Sequence, residues 1–417
     1  MSEWKETTLG DVANDISYGY TESASHKSVG PKFLRITDIQ DDFIDWKDVP
    51  YCPINKKDYK KYKLDIGDIC IARTGNSTGT TAIIKEDVGA VFASYLIRFR
   101  INKEIANPFY IGFLLKSYYW KGFVKSIIGG SAQPGANAQM LSGFPIKLPP
   151  LIEQIAISDI FTSIDSKIDL LRRQNLTLEN IAQTLFKRWF IDYEFPSEDA
   201  KPYKSNGGKM VNCELDKMPM NWKVGKINDL CQKLASGGTP STKNSKYYSG
   251  RIDWFSTKEL KDNYLFESEK KITEEALNNS SAKLFPRGAV VMAIYAAPTV
   301  GRLGILAGES TFNQAACGFV ADENICCNEF IYLFLLHSRN ILNNLANGAA
   351  QQNLNVGIVS NFPVIIPDKI VMKKFIGLIK PIFNKIYINS HQIQTLTKTR
   401  GTLLPKLMSG QIRVKDL

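Results

Sequence analysis

The stretch GGSAQPGANAQMLSGFPIKLPP, from Gly129 to Pro150, has a looser echo in NGAAQQNLNVGIVSNFPVIIP, from Asn347 to Pro367, about 218 residues downstream. Both segments are rich in turn and amide residues, and both run through Phe-Pro into a proline-marked boundary. Outward from this pair the matches continue in order. FLLKS from Phe113 meets FLLHS from Phe334, and VFASYLIRF from Val91 meets TFNQAACGF from Thr311. LDIGDICIARTGNSTGTTAII from Leu64 meets LFPRGAVVMAIYAAPTVGRLGIL from Leu284. FLRITDIQDDFIDW from Phe33 meets IDWFSTKELKDNYLF from Ile252, with the alternation and aromatic content of strands. Trp4-Lys5 and Trp222-Lys223 open the two series. A unit of about 220 residues far exceeds a solenoid repeat, so the chain is a domain duplication.

Each unit ends in a helical pattern. Ile157, Phe161, Ile164, Ile168, Leu171, Asn175, Leu178, Ala182 and Leu185 fall at alternating steps of four and three. This rhythm predicts one helix from Glu153 to Trp189, about 55 Å long at ~1.5 Å per residue, with a heptad seam that needs a facing partner. Ile382, Ile386, Asn389, Ile393, Leu396, Leu403 and Leu407 repeat the spacing, with Arg400 interrupting it. Asn175, Asn389 and Arg400 cost stability in a dry seam unless they lie near its ends or fix its register. Pro381 removes an internal hydrogen bond and is expected to kink or restart the second helix. The two stripes can bury each other antiparallel, which gives an approximate internal two-fold. The alternative is that each stripe packs on its own domain. Between the units, FPSEDAKPYKSNGGKMVNCELDKMP from Phe195 has no period and reads as a linker.

With 417 residues, 44% of them hydrophobic, the chain can fill two or three ordinary cores. No run of eighteen apolar residues occurs, and MSEWKETTLGD lacks the apolar stretch of a secretory signal, so a cytoplasmic protein without a membrane partner is expected. Seven cysteines without CxxC spacing and three scattered histidines argue against a structural zinc site or a disulfide framework. Residues 1 to 200 hold 24 Lys+Arg against 25 Asp+Glu, and residues 201 to 417 hold 28 against 16, a net −1 and +12. A basic second half fits a polyanion, although basicity alone says nothing about sequence-specific reading.

Motifs for catalysis are incomplete. NPFY at Asn107 approaches the pattern with which amino-methyltransferases hold a flipped base, but Phe109 replaces the expected proline and no glycine-rich cofactor loop precedes it. A helix start before FLLKS accounts for it better. GNSTGTT from Gly75 lacks the lysine of a phosphate-gripping loop. No catalytic or metal-ligating residue is assigned. A stand-alone DNA-modifying enzyme with a dispersed site and a basic adaptor on a coiled pair remain as rival readings.

What recurs is a set of polar turns suited to DNA. In the first unit they carry Arg73, Asn76, Ser77 and Thr78, then Ser131, Gln133, Asn137 and Gln139. In the second they carry Thr239, Ser241, Lys243, Asn244 and Lys246 in GGTPSTKNSK, then Arg302, then Gln351, Gln352, Asn353 and Asn355. Arg pairs with guanine and Asn or Gln with adenine through two hydrogen bonds, while Ser, Thr and Lys mostly hold phosphates. For each single residue, a turn or capping role is the competing account.

PPLIEQIAI from Pro149, LFKRWFIDYEFP from Leu185 and LLPKLMSGQI from Leu403 resemble the segments that bracket the helices of specificity subunits of type I restriction-modification systems. GGTPSTKN resembles the start of their target-recognition domains, and the resemblance covers essentially the whole chain. It implies two α/β target-recognition domains, 1–150 and 221–367, separated by a pair of long antiparallel coiled-coil helices, 151–194 and 368–412, with a linker at 195–220. It further implies that each domain reads one half of a split, asymmetric site on double-stranded DNA. Such a subunit has no catalysis and no cofactor of its own. It docks two methyltransferase subunits that use S-adenosylmethionine, and restriction subunits that use ATP and Mg. The second half departs from the pattern where IPDKIVMKKF stands in place of PPLIEQ, so docking there is expected to differ in detail.

Overall fold

The structure is a computed structural model that describes residues 4–39, 44–128, 135–295, 298–347 and 354–414. Contacts divide the chain into two compact units, Met1–Leu170 with Gln394–Leu417, and Leu171–Ile393.

Short apolar runs bounded by turn residues become the strands of the first unit. Its elements are β1 (Lys5–Thr8), β2 (Ala13–Tyr18), β3 (Phe33–Leu34), α1 (Lys56–Tyr62), β4 (Ile69–Ala72), β5 (Thr81–Ile83), β6 (Val91–Phe92), β7 (Leu96–Ile101), α2 (Pro108–Leu114), α3 (Tyr118–Ile127), α4 (Ala138–Ser142) and β8 (Pro145–Leu148). The main sheet has the order β2-β7-β4-β5, antiparallel throughout, with β3 and β6 as a separate parallel pair and β1 with β8 as an antiparallel one. All four residues of β4 are buried, as its uninterrupted ICIA run requires. Asn107 caps α2 by accepting from the Phe109 and Tyr110 amides, with Pro108 in the first turn, so NPFY is a helix start.

The second unit repeats this plan with additions. After the long helix α5 (Leu151–Phe186) come β9 (Met210–Cys213), β10 (Asp216–Pro219), β11 (Lys223–Lys226), β12 (Cys231–Ser236), β13 (Ile252–Phe255), β14 (Asn263–Leu265), β15 (Lys270–Ile272), α6 (Glu274–Asn278), β16 (Val290–Ala293), β17 (Leu303–Leu306), β18 (Thr311–Phe312), β19 (Ala316–Ala321), α7 (Asn328–Asn347), α8 (Val356–Ser360) and β20 (Pro363–Ile366). Its sheet β12-β19-β16-β17-β14 contains the β2-β7-β4-β5 order plus one parallel edge strand. The parallel pair β13 with β18 matches β3 with β6, and β11 with β20 matches β1 with β8. The segment from Phe195 is more ordered than its composition suggests. β9 and β10 form a hairpin in it, and the Phe195 ring stacks on Trp222 with centroids 5.0 Å apart.

α5 and α9 (Lys369–Met408) run through both units as continuous helices of 36 and 40 residues. Within the first unit the start of α5 packs with the end of α9: Ile157 and Phe161 share a core with Leu404, Leu407 and Met408. Within the second, Ala182 and Phe186 share a core with Phe375, Ile379 and Phe383, so the helices run antiparallel. The same cores include sheet and short-helix residues, so each stripe serves its own domain as well as the opposite helix. α5 ends in a π-helical turn, Lys187–Ile191, that buries Trp189 and Phe190.

The polar seam residues have specific partners. Asn389 Nδ2 donates to Asn175 Oδ1 at 2.9 Å, and Asn175 Nδ2 donates to Ser390 Oγ at 3.0 Å, which fixes the helix register. Arg400 does not interrupt the seam, because its Nη1 lies 2.7 Å from Asp165 Oδ1. Pro381 does not restart α9 either. Its missing N–H leaves the Gly377 carbonyl without a helical donor, but both residues are exposed and water can fill that role. Arg413 pairs with Glu153 and lies 5.8 Å from the Trp4 ring, so the two ends of the described chain meet in the first unit.

Candidate nucleic-acid interface

The strand registers bring most of the candidate loops to one end of each sheet. In the first unit Tyr18 pairs with Ile97, Ala72 with Leu96 and Ile71 with Thr81, so the turns beyond β2 and β4 and before β5 and β7 emerge together. In the second, Ser236 pairs with Cys317, Ala293 with Ala316 and Met292 with Leu303, which gathers the equivalent turns. The amide-rich segments join them. The Ala136 amide donates to the Arg73 carbonyl and the Leu354 amide to the Ile294 carbonyl, both at 2.9 Å.

At the edge of the first unit, the Arg73 guanidinium sits 4.9 Å from the Tyr18 ring, and the Tyr18 hydroxyl accepts from the Ala138 amide at 3.1 Å. Asn76 is exposed and Ser77 half-buried in a single 3-10 turn, Gly75–Ser77. Thr78 Oγ1 donates to the Gly75 carbonyl at 2.7 Å, which shapes that turn. The last glycine of GNSTGTT, Gly79, has φ +86° and completes the turn into β5, a conformation that disfavours any side chain. Gln139 is exposed. Ser131 and Gln133 lie outside the described residues.

In the second unit Thr239, Ser241, Lys243, Asn244 and Lys246 follow β12, with Ser241, Lys243 and Lys246 exposed. Two aromatic side chains fix this loop: Trp254 Nε1 donates to the Gly238 carbonyl at 2.9 Å and the Tyr248 hydroxyl to the Pro240 carbonyl at 2.8 Å. Gly237 is required because an added Cβ would stand 2.2 Å from the Phe312 carbonyl oxygen, and Gly19 meets Ala93 in the same way. Thr239 Oγ1 donates to Gln314, in the turn between β18 and β19. Arg302 is half-buried at the start of β17. Gln351, Gln352 and Asn353 lie outside the described residues.

Three of the asparagines expected to read bases are helix caps. Asn137 Oδ1 accepts from the Met140 amide and Asn355 Oδ1 from the Ile358 amide, each at 2.8 Å, while Asn244 Oδ1 accepts from the Lys246 amide at 3.2 Å. A paired contact with adenine needs both the oxygen and the nitrogen of the amide, so a capping oxygen removes half of it. Asn137→Ala and Asn355→Ala are each expected to cost ~1 kcal/mol of stability and to leave the recognised sequence unchanged. Urea denaturation beside methylation-site mapping checks both halves of that statement, and an altered half-site in either variant would restore base reading to these positions.

Sequence reasoning missed the aromatic side of the first unit's edge. Tyr18 and Tyr95 are 41% and 60% exposed, and Tyr95 lines a cleft of about 800 Å3 with Tyr20, Phe33, Arg35 and Thr74. A large aromatic at a strand end beside glycine, as in SYGY, is the signal that could have found Tyr18. The units also differ in charge at matched positions. α1, KKDYKKY, is capped by Asn55, whereas its counterpart α6, EEALN, is capped by Thr273. Among the described residues no cluster of His, Cys, Asp and Glu is placed to hold a metal ion, and no helix is long and apolar enough to cross a membrane.

Comparison with known proteins agrees with this duplicated plan. The family model described as type I restriction modification DNA specificity domain matches twice, over residues 1–180 and 219–398. The MjaIX specificity subunit of Methanocaldococcus jannaschii is 30% identical over 76% of this chain and 72% of its own length. The HindI specificity subunit of Haemophilus influenzae is 26% identical over 99% of this chain and 100% of its own. A solved type I restriction-modification S subunit from M. genitalium shares the fold, with a TM-score of 0.61 at 11% identity over 97% of this chain and 96% of that one. Two matches of one family model, in register with two copies of one sheet, place the chain in the family of type I restriction-modification specificity subunits.

Proposed function

We propose that the two units read the two halves of a split, asymmetric site on double-stranded DNA, with residues 1–150 and 221–367 as the target-recognition domains. A specificity subunit recognises DNA and is not itself catalytic, and this chain has that role in a type I restriction-modification complex. Helical segments 151–194 and 368–412 carry the domains and the docking surfaces for two methyltransferase subunits, and residues 195–220 link the halves. The methyltransferase subunits use S-adenosylmethionine, and the restriction subunits use ATP and Mg. The complex works in the cytoplasm, away from any membrane.

The observation that carries the reading is that equivalent sheet ends present unlike side chains. Arg73, Asn76, Ser77 and Gln139 stand in one unit, against Thr239, Ser241, Lys243, Lys246 and Arg302 in the other. Arg73, Gln139 and Arg302 are assigned to base edges, and the hydroxyl and lysine side chains to phosphates. Gln133, Gln351, Gln352 and Asn353 are further base-reading assignments, and Ser131 is assigned to phosphate. Hydroxyl-radical footprinting of the assembled methyltransferase complex on its methylated motif is the test. Two protected patches separated by an unprotected spacer are expected, and one continuous patch would refute the two-reader scheme.

A further inference from the structure

We infer that Arg35, buttressed by Asp38, is a specificity-determining residue that reads a guanine in the half-site of the first unit, and that the second unit lacks this contact. The inference rests on the proposed two-reader function and adds to it a residue and a base.

The geometry begins with a short 3-10 turn, Ile36–Asp38, that follows β3. Asp38 Oδ2 accepts from the Arg35 amide at 2.8 Å and from Arg35 Nε at 3.0 Å, and Asp38 Oδ1 accepts from Nη2 at 2.7 Å. A guanidinium has five N–H groups in a rigid plane, and the carboxylate occupies Nε–H and one Nη2–H. The remaining three, on Nη1 and Nη2, form the outer end of the fork, and no described residue accepts from them. That end is the shape that matches O6 and N7 of guanine. Because Asp38 holds the plane, little side-chain freedom is left to lose on binding.

The setting favours a base over a phosphate. The Arg35 side chain keeps 36% of its surface exposed and lines the 800 Å3 cleft, with Tyr20 and Tyr95 also on its wall. Among the described residues the charged ones lining this cleft are Arg35 and Glu22, and Asp38 backs the guanidinium, so the lining carries no excess positive charge to draw a phosphate. A neutral base edge with two acceptors suits it. Thr74, next to the candidate Arg73, lines the same cleft, so Arg35 belongs to the edge already described.

The duplicate supplies an internal control. Ser256 caps the matching turn, Thr257–Glu259, with Glu259 Oε2 accepting from the Ser256 amide at 2.7 Å. The acidic cap is kept and the arginine is absent. The backbone bond to Asp38 also survives whatever side chain stands at position 35, so replacing Arg35 leaves the turn intact.

The test is methylation-site sequencing and competition binding with the full complex carrying Arg35→Ala or Arg35→Lys. Both variants are expected to lose discrimination for guanine at one position of one half-site by about tenfold or more, with the other half-site unchanged. Arg35→Lys retains the charge but not the fork, so its nonspecific affinity and salt dependence stay at the wild-type level. Equal weakening on all sequences with a shallower salt slope would make Arg35 a phosphate contact and overturn the inference. Unchanged preference at every position would overturn it too. Thermal melts within about 2 °C of wild type exclude misfolding as the cause. Failure of the wild-type complex to protect two patches would instead refute the two-reader function, a result that none of the Arg35 variants can mimic.

Discussion

Replacing Asp165 with alanine is expected to destabilise the first unit by about 3–5 kcal/mol, because it removes the buried carboxylate on which Arg400, Lys116 and Lys85 converge, although Lys85 keeps Asp169 at 3.1 Å. Asp165 lies on α5 and its side chain is 4% exposed, with Arg400 at 2.7 Å, Lys85 at 3.3 Å and Lys116 at 3.5 Å. Burial alone would raise its pKa, but Lys116, Lys85 and Arg400 together hold the carboxyl below its ordinary value of 3.8. A carboxyl depressed in the folded state contributes stability above its unfolded value and loses it as the pH falls through the folded one. The gap between wild type and Asp165→Ala, measured by urea denaturation, is therefore widest at neutral pH and narrows below about pH 4. Asp165→Asn, which keeps the shape, should lose nearly as much. A loss under about 1 kcal/mol would mean that water reaches the cations and replaces the carboxylate.

The second large effect belongs to the aromatic cluster of the second unit. Phe375→Ala is expected to cost about 3–5 kcal/mol through lost burial and the cavity left behind. Phe375 is fully buried on α9, and its ring faces Phe190 at 4.7 Å and 84°, Trp189 at 5.8 Å and Phe330 at 6.2 Å. These partners come from the π-helical turn after α5 and from α7, so one ring ties three elements together. Phe375→Leu, closer in volume, should retain most of the stability. If alanine and leucine were equally mild in calorimetric unfolding, the cluster would be repacking around the gap.

Periodicity made the helices legible. The stripe from Ile157 to Leu185 can be counted along the chain because a helix places every third or fourth residue on one face, and Ile157, Phe161, Leu171 and Ala182 are buried to within 1%. The partner of Arg400 was not legible, because Asp165 stands 235 residues away and only the helix register brings them together. The capping asparagines were hidden for a different reason. An amide can cap a helix or read adenine with the same atoms, and α4 and α8, at five residues each, are too short to show a helical period. Arg35 and Tyr95 escaped because each stands alone in the sequence and meets the cleft only through the parallel pairing of β3 with β6.

The meeting of Trp4 with Arg413 has a consequence for ancestry and engineering. Where two segments so far apart in sequence lie side by side, a short link between them closes a loop that can be opened elsewhere on its surface. Linking the chain near Trp4 to the chain near Arg413 and cutting between residues 195 and 220 would yield a circular permutant with the halves in reversed order and the α5–α9 contacts retained. Which half is translated first would then be an accident of where the ring was opened.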